Sequence, residues 1–479
     1  MLRSDTVRVR NKIVFGLLLG LLFFLFGQSL DDPFFWDGVQ LGAKQAWFYF
    51  DHNFQYFWLP QEIDSGHPPF FGLYLAVCWK IFGANLGVSH LATLPFLVGF
   101  VYAAWQLGRH YLGPESGPAL LLIYMADPTV LSQLLLIGPD LALMCFFLLA
   151  FLGYSQNRKL LQMLSVLGLA VISMRGMMCA FALFLFEYRS HLRTKSGLWK
   201  WWWQEVKIYS PGVLLALLFL ILHLRGKGWI GYHPESPWAP SFQKNTFAGA
   251  GWNLLILGWR MLDFGRIVQW LAFLALLIKQ PKLQKWPPNT ILALFLFFVL
   301  AWPFILYVGL NQHRYLIPFY LILHLVFLQQ LQQTPWSTWK ENILFGLVVS
   351  GLLTGQLWIY PSGIAQGWDS SLAHRPYFSL RTETEDFLNK RAIPLDSVGA
   401  DFPAIGPLRN FDPTVSGIGF ANKNEKLYDY YFISNIMNGF TVEDLNTITQ
   451  NYHLIFHRQK RGVYVSIYEK KEKKSDGAQ

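Results

Sequence analysis

The 479 residues carry 53% apolar and only 14% charged side chains, with a mean hydropathy of +0.29, a balance that excludes an ordinary soluble enzyme and marks a membrane protein. The aromatic share, 20 Trp, 21 Tyr and 41 Phe, suits many water–lipid boundaries, and neither a collagenous nor a disordered chain has this composition. The net charge of +10 lies wholly before residue 361, where 25 Lys+Arg face 15 Asp+Glu, while the remainder holds 14 of each; this is the positive-inside pattern of a polytopic protein and gives no case for nucleic-acid binding.

The first apolar run, Ile13 to Leu30, is uncharged and long enough to cross a bilayer, and Arg3, Arg8, Arg10 and Lys12 precede it. No small-residue cleavage pattern follows, only Asp31-Asp32-Pro33, so a retained first helix with a cytoplasmic start is predicted rather than a cleaved signal peptide. Phe70 to Gly83 contains Lys80 and reads as an interfacial helix. Further apolar runs occur at about 88–107, 117–137, 141–156, 160–174, 176–188, 210–224, 266–278, 289–310, 315–331 and 342–360, which makes about 11 transmembrane helices.

Threading these spans from the inside places Arg109-His110, Arg158-Lys159, the basic stretch Arg189 to Lys207, Lys279/Lys282/Lys285 and Lys340 in alternate inner loops. The outer segments are then 31–87, Gly138-Pro139-Asp140, Arg175-Gly176, 225–265, Asn311 to Arg314 and everything after 360. Cys78, Cys145 and Cys179 all lie in apolar runs and indicate no disulfide framework. The Trp201-Trp202-Trp203 run falls on the inner side, as an interfacial anchor.

Residues 361–479 change character. Thr441 caps a helix with acids in its first turn, and His453 to His457 and Gly462 to Tyr468 read as strands around a turn. The expected organisation is an all-α polytopic membrane domain, 1–360, with an outer loop at 31–87, and a small soluble α/β domain outside the membrane, 361–479.

This topology gathers the unusual polar residues on the outer face: Asp31, Asp32, Asp37, Asp64, His67, Asp140, Arg175, His233 and Arg314. Ionisable groups at membrane depth are costly and need a partner or a task. Glu62, Asp64 and His67 could form a divalent metal site, but such ligands in a loop are common by chance and a hydrogen-bonded or solvated role is the preferred reading. Asp127 precedes Pro128, and a structural kink is the preferred reading there. No Walker motif, GxGxxG fingerprint or His-Glu-x-x-His sequence occurs.

The segment Trp36-Asp37-Gly38, followed by Gly66-His67-Pro68-Pro69, resembles the outer loop of the GT-C superfamily of integral-membrane glycosyltransferases, in particular protein O-mannosyltransferases and lipid A aminoarabinose transferases. Gly138-Pro139-Asp140, Arg175-Gly176 and Arg314-Tyr315-Leu316-Ile317-Pro318 continue the resemblance over most of residues 1–330, while Gly38 departs from it where the family commonly has a second acid. The resemblance implies transfer of a sugar from a polyprenyl-phosphate donor to a lipid, glycan or protein acceptor on the outer face of a bacterial inner membrane. It implies Asp37 as base and Asp140 beside it as catalytic groups, Arg175 and Arg314 at the donor phosphate, and His67 and Tyr315 as substrate contacts; His233, in Gly231-Tyr232-His233-Pro234 of the outer loop 225–265, is a further candidate substrate contact by its position alone, a turn residue being the equal alternative. The chemistry asks for these types: a carboxylate takes the acceptor proton, and guanidinium groups neutralise the departing phosphate. A flippase of lipid-linked glycans and a catalytically inactive binding subunit are the rival readings.

Overall fold

The computed structural model describes residues 2–471 apart from 195–196, 232, 237, 280–285, 362–363, 365 and 438; Lys195, Lys282 and Lys285 of the inner-loop charges therefore lie outside the described residues. The chain runs through α1 (Leu2–Gln28), a π-helical turn (Gly38–Ala43) that continues into α2 (Lys44–Asp51), α3 (Phe70–Phe82), α4 (Leu86–Leu112), α5 (Gly117–Ala126), α6 (Pro128–Leu135), α7 (Pro139–Ser155), α8 (Lys159–Ile172) and α9 (Met174–Thr194). There follow α10 (Leu198–Lys227), α11 (Phe247–Leu262), α12 (Arg266–Lys279), α13 (Asn289–Leu306), α14 (Ile317–Gln333) and α15 (Thr338–Thr354).

The expected apolar runs fall on these helices, 117–137 being divided between α5 and α6, and the protein is a multi-pass membrane protein. Length and hydropathy do not by themselves give the expected count of about 11 spans: among the described residues five helices qualify, or seven if each of two bent pairs is one span. Several apolar runs form helices too short to qualify alone, such as α7 with 17 residues and α8 with 14. The expected outer loop 225–265 is also corrected, because α11 occupies its second half. Gly249, Gly251, Gly258 and Arg260 interrupt the apolar run in sequence, yet the helix exposes Trp252, Leu255 and Trp259 along one side.

Both bends have local causes. Between α5 and α6 the chain turns by 87° at Asp127-Pro128, where the proline ends one helix and the Asp127 carboxylate accepts from Thr129 N (2.9 Å) and Val130 N (3.2 Å) to start the next. Between α11 and α12 it turns by 82° at Asp263-Phe264-Gly265. The two corners meet: the Arg266 guanidinium donates to both Asp127 oxygens at 2.9 and 2.7 Å and to Thr129 Oγ1 at 2.6 Å, over the Tyr320 ring at 3.9 Å. His324 Nε2 lies 3.1 Å from the same carboxylate. Asp263 in turn is paired with His313 (2.5 Å), Arg260 (3.6 Å) and the Tyr360 hydroxyl. Asp127 thus acts at a structural corner. The hub is α14, buried almost throughout, and its central position carries the residues just ahead of it into the middle of the protein.

After α15 come α16 (Pro376–Lys390), β1 (Val398–Ala400), β2 (Ala421–Asn422), β3 (Tyr430–Ser434), α17 (Val442–Asn451), β4 (Tyr452–Lys460) and β5 (Val463–Lys470). The sheet order is β2-β1-β3-β5-β4; β1 is parallel to its two neighbours, and β3, β5 and β4 are antiparallel. Thr441 and Asp444 close the expected cap of α17 as a reciprocal capping box. The apolar core beneath this sheet, built on Val398, Phe432 and Ile467, also takes in Phe35, Trp36 and Leu136. Phe35 stacks on His374 at 4.4 Å, and Arg375 pairs with Asp32 at 2.8 Å. The segment after residue 360 therefore packs directly on the loop that carries Asp37.

Candidate active site

Four separate stretches converge beside that contact. Asp37 stands at the start of the π-helical turn, directly after Trp36, whose φ of 51° lies in the left-handed region that a bulky residue rarely occupies. Gly38 is required by close packing: a Cβ there would lie 2.3 Å from the Ile137 carbonyl oxygen, a backbone atom with nowhere to go. The missing second acid of the motif thus has a steric reason. Asp140 belongs to the first turn of α7, Arg175 to the first turn of α9, and Arg314 to a 3₁₀ turn (His313–Leu316) that feeds α14.

The side chains form a connected charge cluster. Arg314 Nη1 lies 2.5 Å from Asp37 Oδ2 and 3.8 Å from Asp140 Oδ2, and Arg175 Nη2 lies 2.6 Å from Asp140 Oδ1. Arg175 Nη1 also donates to the Arg314 carbonyl at 3.0 Å, and both guanidinium groups lie about 5 Å from the Tyr315 ring, at 4.9 and 5.1 Å. A fifth member was not expected from the sequence. Asp369, in a 3₁₀ turn (Trp368–Ser370) after α15, places Oδ2 3.1 Å from Arg314 Nε. Nothing in its local sequence separates Asp369 from a solvated turn residue; only its return onto the α6 and α14 ends reveals it.

Part of the cluster borders a cavity of about 340 Å³, whose lining includes Asp37, His67, Arg175 and Tyr315 together with apolar residues of α13 such as Leu300 and Pro303. Asp37 and Arg175 retain 14% and 15% side-chain exposure, whereas Arg314, Asp140 and Asp369 retain 3%, 4% and 2% and are not among the lining residues. Arg314 therefore stands behind Asp37 as its counter-ion rather than at the cavity face. His67 Nδ1 faces the Met174 N–H at 3.4 Å, which leaves Nε2 to carry the proton. Burial, and then the Arg175 charge, hold its pKa down at about 4 against the opposing pull of Asp37 and Asp64, so the ring is neutral near pH 7. Burial likewise pushes the Asp369 carboxyl up to about 6, against the pull of Arg314.

Other expected residues lie elsewhere. His233 packs 5.5 Å from the Trp229 ring, its Nδ1 accepts from Glu235 N, and it is not among the lining residues. Asp64 is committed to His223 Nε2 (3.1 Å) and to Gly66 N (2.8 Å), and Glu62 is exposed. Glu62, Asp64 and His67 do not fit a metal ion, and among the described residues no group of three His, Cys, Asp or Glu is arranged to hold one. Asp31 is exposed, and Asp32 is taken up by Arg375.

No family model and no curated protein matches the sequence. Among solved structures, ArnT from Cupriavidus metallidurans bound to undecaprenyl phosphate superposes with a TM-score of 0.52 at 12% identity, over 94% of this chain and 97% of that one. Its apo state gives 0.51 with the same identity and coverage. Arabinofuranosyltransferase AftD from Mycobacteria gives 0.50 at 13% identity, covering 98% of this chain and 40% of that one. Both neighbours are GT-C glycosyltransferases, so the expected GT-C resemblance is borne out at the level of the fold.

Proposed function

We propose that the protein is a membrane glycosyltransferase that moves a sugar from a polyprenyl-phosphate donor to an acceptor held at the outer membrane face. The observation that carries this reading is that Asp37 and Arg175 line one cavity that also has an apolar side, each held by a buried partner behind it, Arg314 and Asp140. The fold shared with ArnT, itself solved with undecaprenyl phosphate, supports a lipid phosphate as the donor's leaving group.

In this mechanism the acceptor hydroxyl or amine attacks the anomeric carbon as the bond from that carbon to the phosphate oxygen breaks. The bonding electrons leave with the polyprenyl phosphate, the acceptor's proton passes to Asp37, and the anomeric configuration inverts. The departing phosphate needs no general acid; Arg175 at the cavity face, with the Tyr315 hydroxyl and the neutral His67 N–H, stabilises its charge. Asp140 orients Arg175, and Arg314 orients Asp37. No step is routed through a metal ion.

The basic loops support a bacterial inner-membrane orientation with the amino terminus in the cytoplasm, about 11 crossings, and residues 361–479 outside as the part that presents the acceptor, be it lipid, glycan or protein. The test is transfer by the purified protein from a panel of radiolabelled undecaprenyl-phosphate monosaccharides. Asp37→Asn is expected to lose at least 100-fold in rate, on the order of a general base's contribution, with undecaprenyl phosphate binding retained. Equal rates in variant and wild type would exclude Asp37 as the base.

A further inference from the structure

Arg314 divides its guanidinium among three carboxylates, with Asp140 Oδ2 the most distant at 3.8 Å from Nη1. Nη1 meets Asp37, which faces the cavity, and Nε meets Asp369, which does not. Asp369 is itself fixed from outside the charge cluster: its backbone carbonyl accepts from Ser132 Oγ and Gln133 Nε2, both at 2.8 Å, at the far end of α6. The turn that delivers it begins at Gly367, whose φ of 71° suits glycine and whose Cβ would lie 2.4 Å from Gln312 Oε1. The turn is thus hydrogen-bonded to α6 and lies close against the Arg314 segment.

We infer that Asp369 is a positioning residue for transfer, competing with Asp37 for the charge of Arg314 so that Asp37 stays a competent base, at a cost in affinity for the donor's phosphate. The inference rests on the glycosyltransferase reading of the same cavity and adds to it an acid supplied by the segment after the last transmembrane helix. Its physical basis is charge balance. Three carboxylates (Asp37, Asp140, Asp369) surround two guanidinium groups (Arg175, Arg314), so the empty cluster has an excess of negative charge that opposes an incoming phosphate. Without the Asp369 charge, Arg314 would neutralise Asp37 more completely. Phosphate would then bind more tightly, and the proton would be taken less readily.

That pair of opposite effects separates this role from a merely structural one, since damage to the site weakens binding and transfer together. The probe is undecaprenyl phosphate, with uncharged undecaprenol as control, titrated into the purified full-length protein in detergent at about pH 7.5. Asp369→Asn, which is isosteric, is expected to bind undecaprenyl phosphate about five- to tenfold more tightly than wild type and undecaprenol unchanged. Asp369→Glu is expected to behave as wild type, and Asp369→Ala, a second removal of the charge, to match Asp369→Asn.

The gain is also expected to vanish as the pH falls through about 6, where the wild-type Asp369 carboxyl takes up its proton. The charged groups facing that carboxyl are Arg314, Asp37 and Asp140; α6 offers only Ser132 and Gln133, and His374 of the following turn is held on the carbonyls of Trp368 and Ser371. Unchanged or weaker undecaprenyl phosphate binding by both charge-removing variants would overturn the inference and leave the glycosyltransferase reading standing. A wild type that does not distinguish undecaprenyl phosphate from undecaprenol would instead overturn that reading, and the inference with it.

Discussion

The corner where the two bent helix pairs meet offers a sharp test of how this fold is held. Arg266 and Asp127 are both fully buried, and replacing Arg266 by methionine leaves the Asp127 carboxylate in the protein interior with only His324 and two backbone N–H groups. A buried charge stripped of its partner costs about 3–5 kcal/mol, because the desolvation already incurred is no longer offset by the ion pair. The double variant Arg266→Met/Asp127→Asn removes both charges while keeping an acceptor oxygen for the α6 cap. It is expected to recover about half or more of the loss, a coupling of about 2 kcal/mol. Arg458→Met serves as control, since Arg458 and Glu383 lie 3.9 Å apart with more than half of each side chain exposed, and its effect is expected within about 0.5 kcal/mol. Unfolding followed by intrinsic tryptophan fluorescence in detergent should show an apparent midpoint about 5–10 °C lower for Arg266→Met, with partial restoration in the double variant. A single variant no worse than Arg458→Met, or a double no better than the single, would refute the reasoning.

Three further outcomes are expected. His374, stacked on Phe35 with Nδ1 donating to backbone carbonyls, has its pKa held by burial at about 4; the unfolded chain therefore binds the extra proton first, and stability is lost as the pH falls from about 6.5 towards 4, by up to about 1.4 kcal/mol per unit. His374→Gln should flatten that slope in unfolding midpoints measured across this pH window, and an unaltered slope would contradict the assignment. Gly38→Ala is expected to lower the yield of folded, monodisperse protein in size-exclusion chromatography, because its Cβ would strike the Ile137 carbonyl; normal yield would show that the helix turn can shift. Alkaline phosphatase joined after residue 471 is expected to be active in cells, as an extracytoplasmic carboxy terminus requires, and an inactive fusion would reverse the proposed orientation.

Much of the site was legible in the sequence because its residues break a strong background. Asp37, Asp140, Arg175 and Arg314 interrupt apolar runs, where an ionisable group stands out. His67 and Tyr315 were found through their motif neighbours and do line the cavity, whereas His233, chosen only for its place in an expected outer loop, lies against Trp229. The helix α11 was missed because Gly249, Gly251, Asn253, Gly258 and Arg260 break it into short apolar stretches, and the metal candidates failed because Asp64 is taken by His223.

What the amino-acid sequence determined by itself is the membrane environment, the helical runs, and the existence of charges that must find partners, for these follow from local composition and the cost of burying ions in an apolar medium. The pairing of those charges belongs to the tertiary structure. Whether Arg314 meets a phosphate or stands behind Asp37, and whether Asp369 faces water or completes the cluster, depends on how α6, α14 and the segment after α15 pack against one another. Contacts between residues more than 200 positions apart leave no periodicity in a single chain from which they could be read.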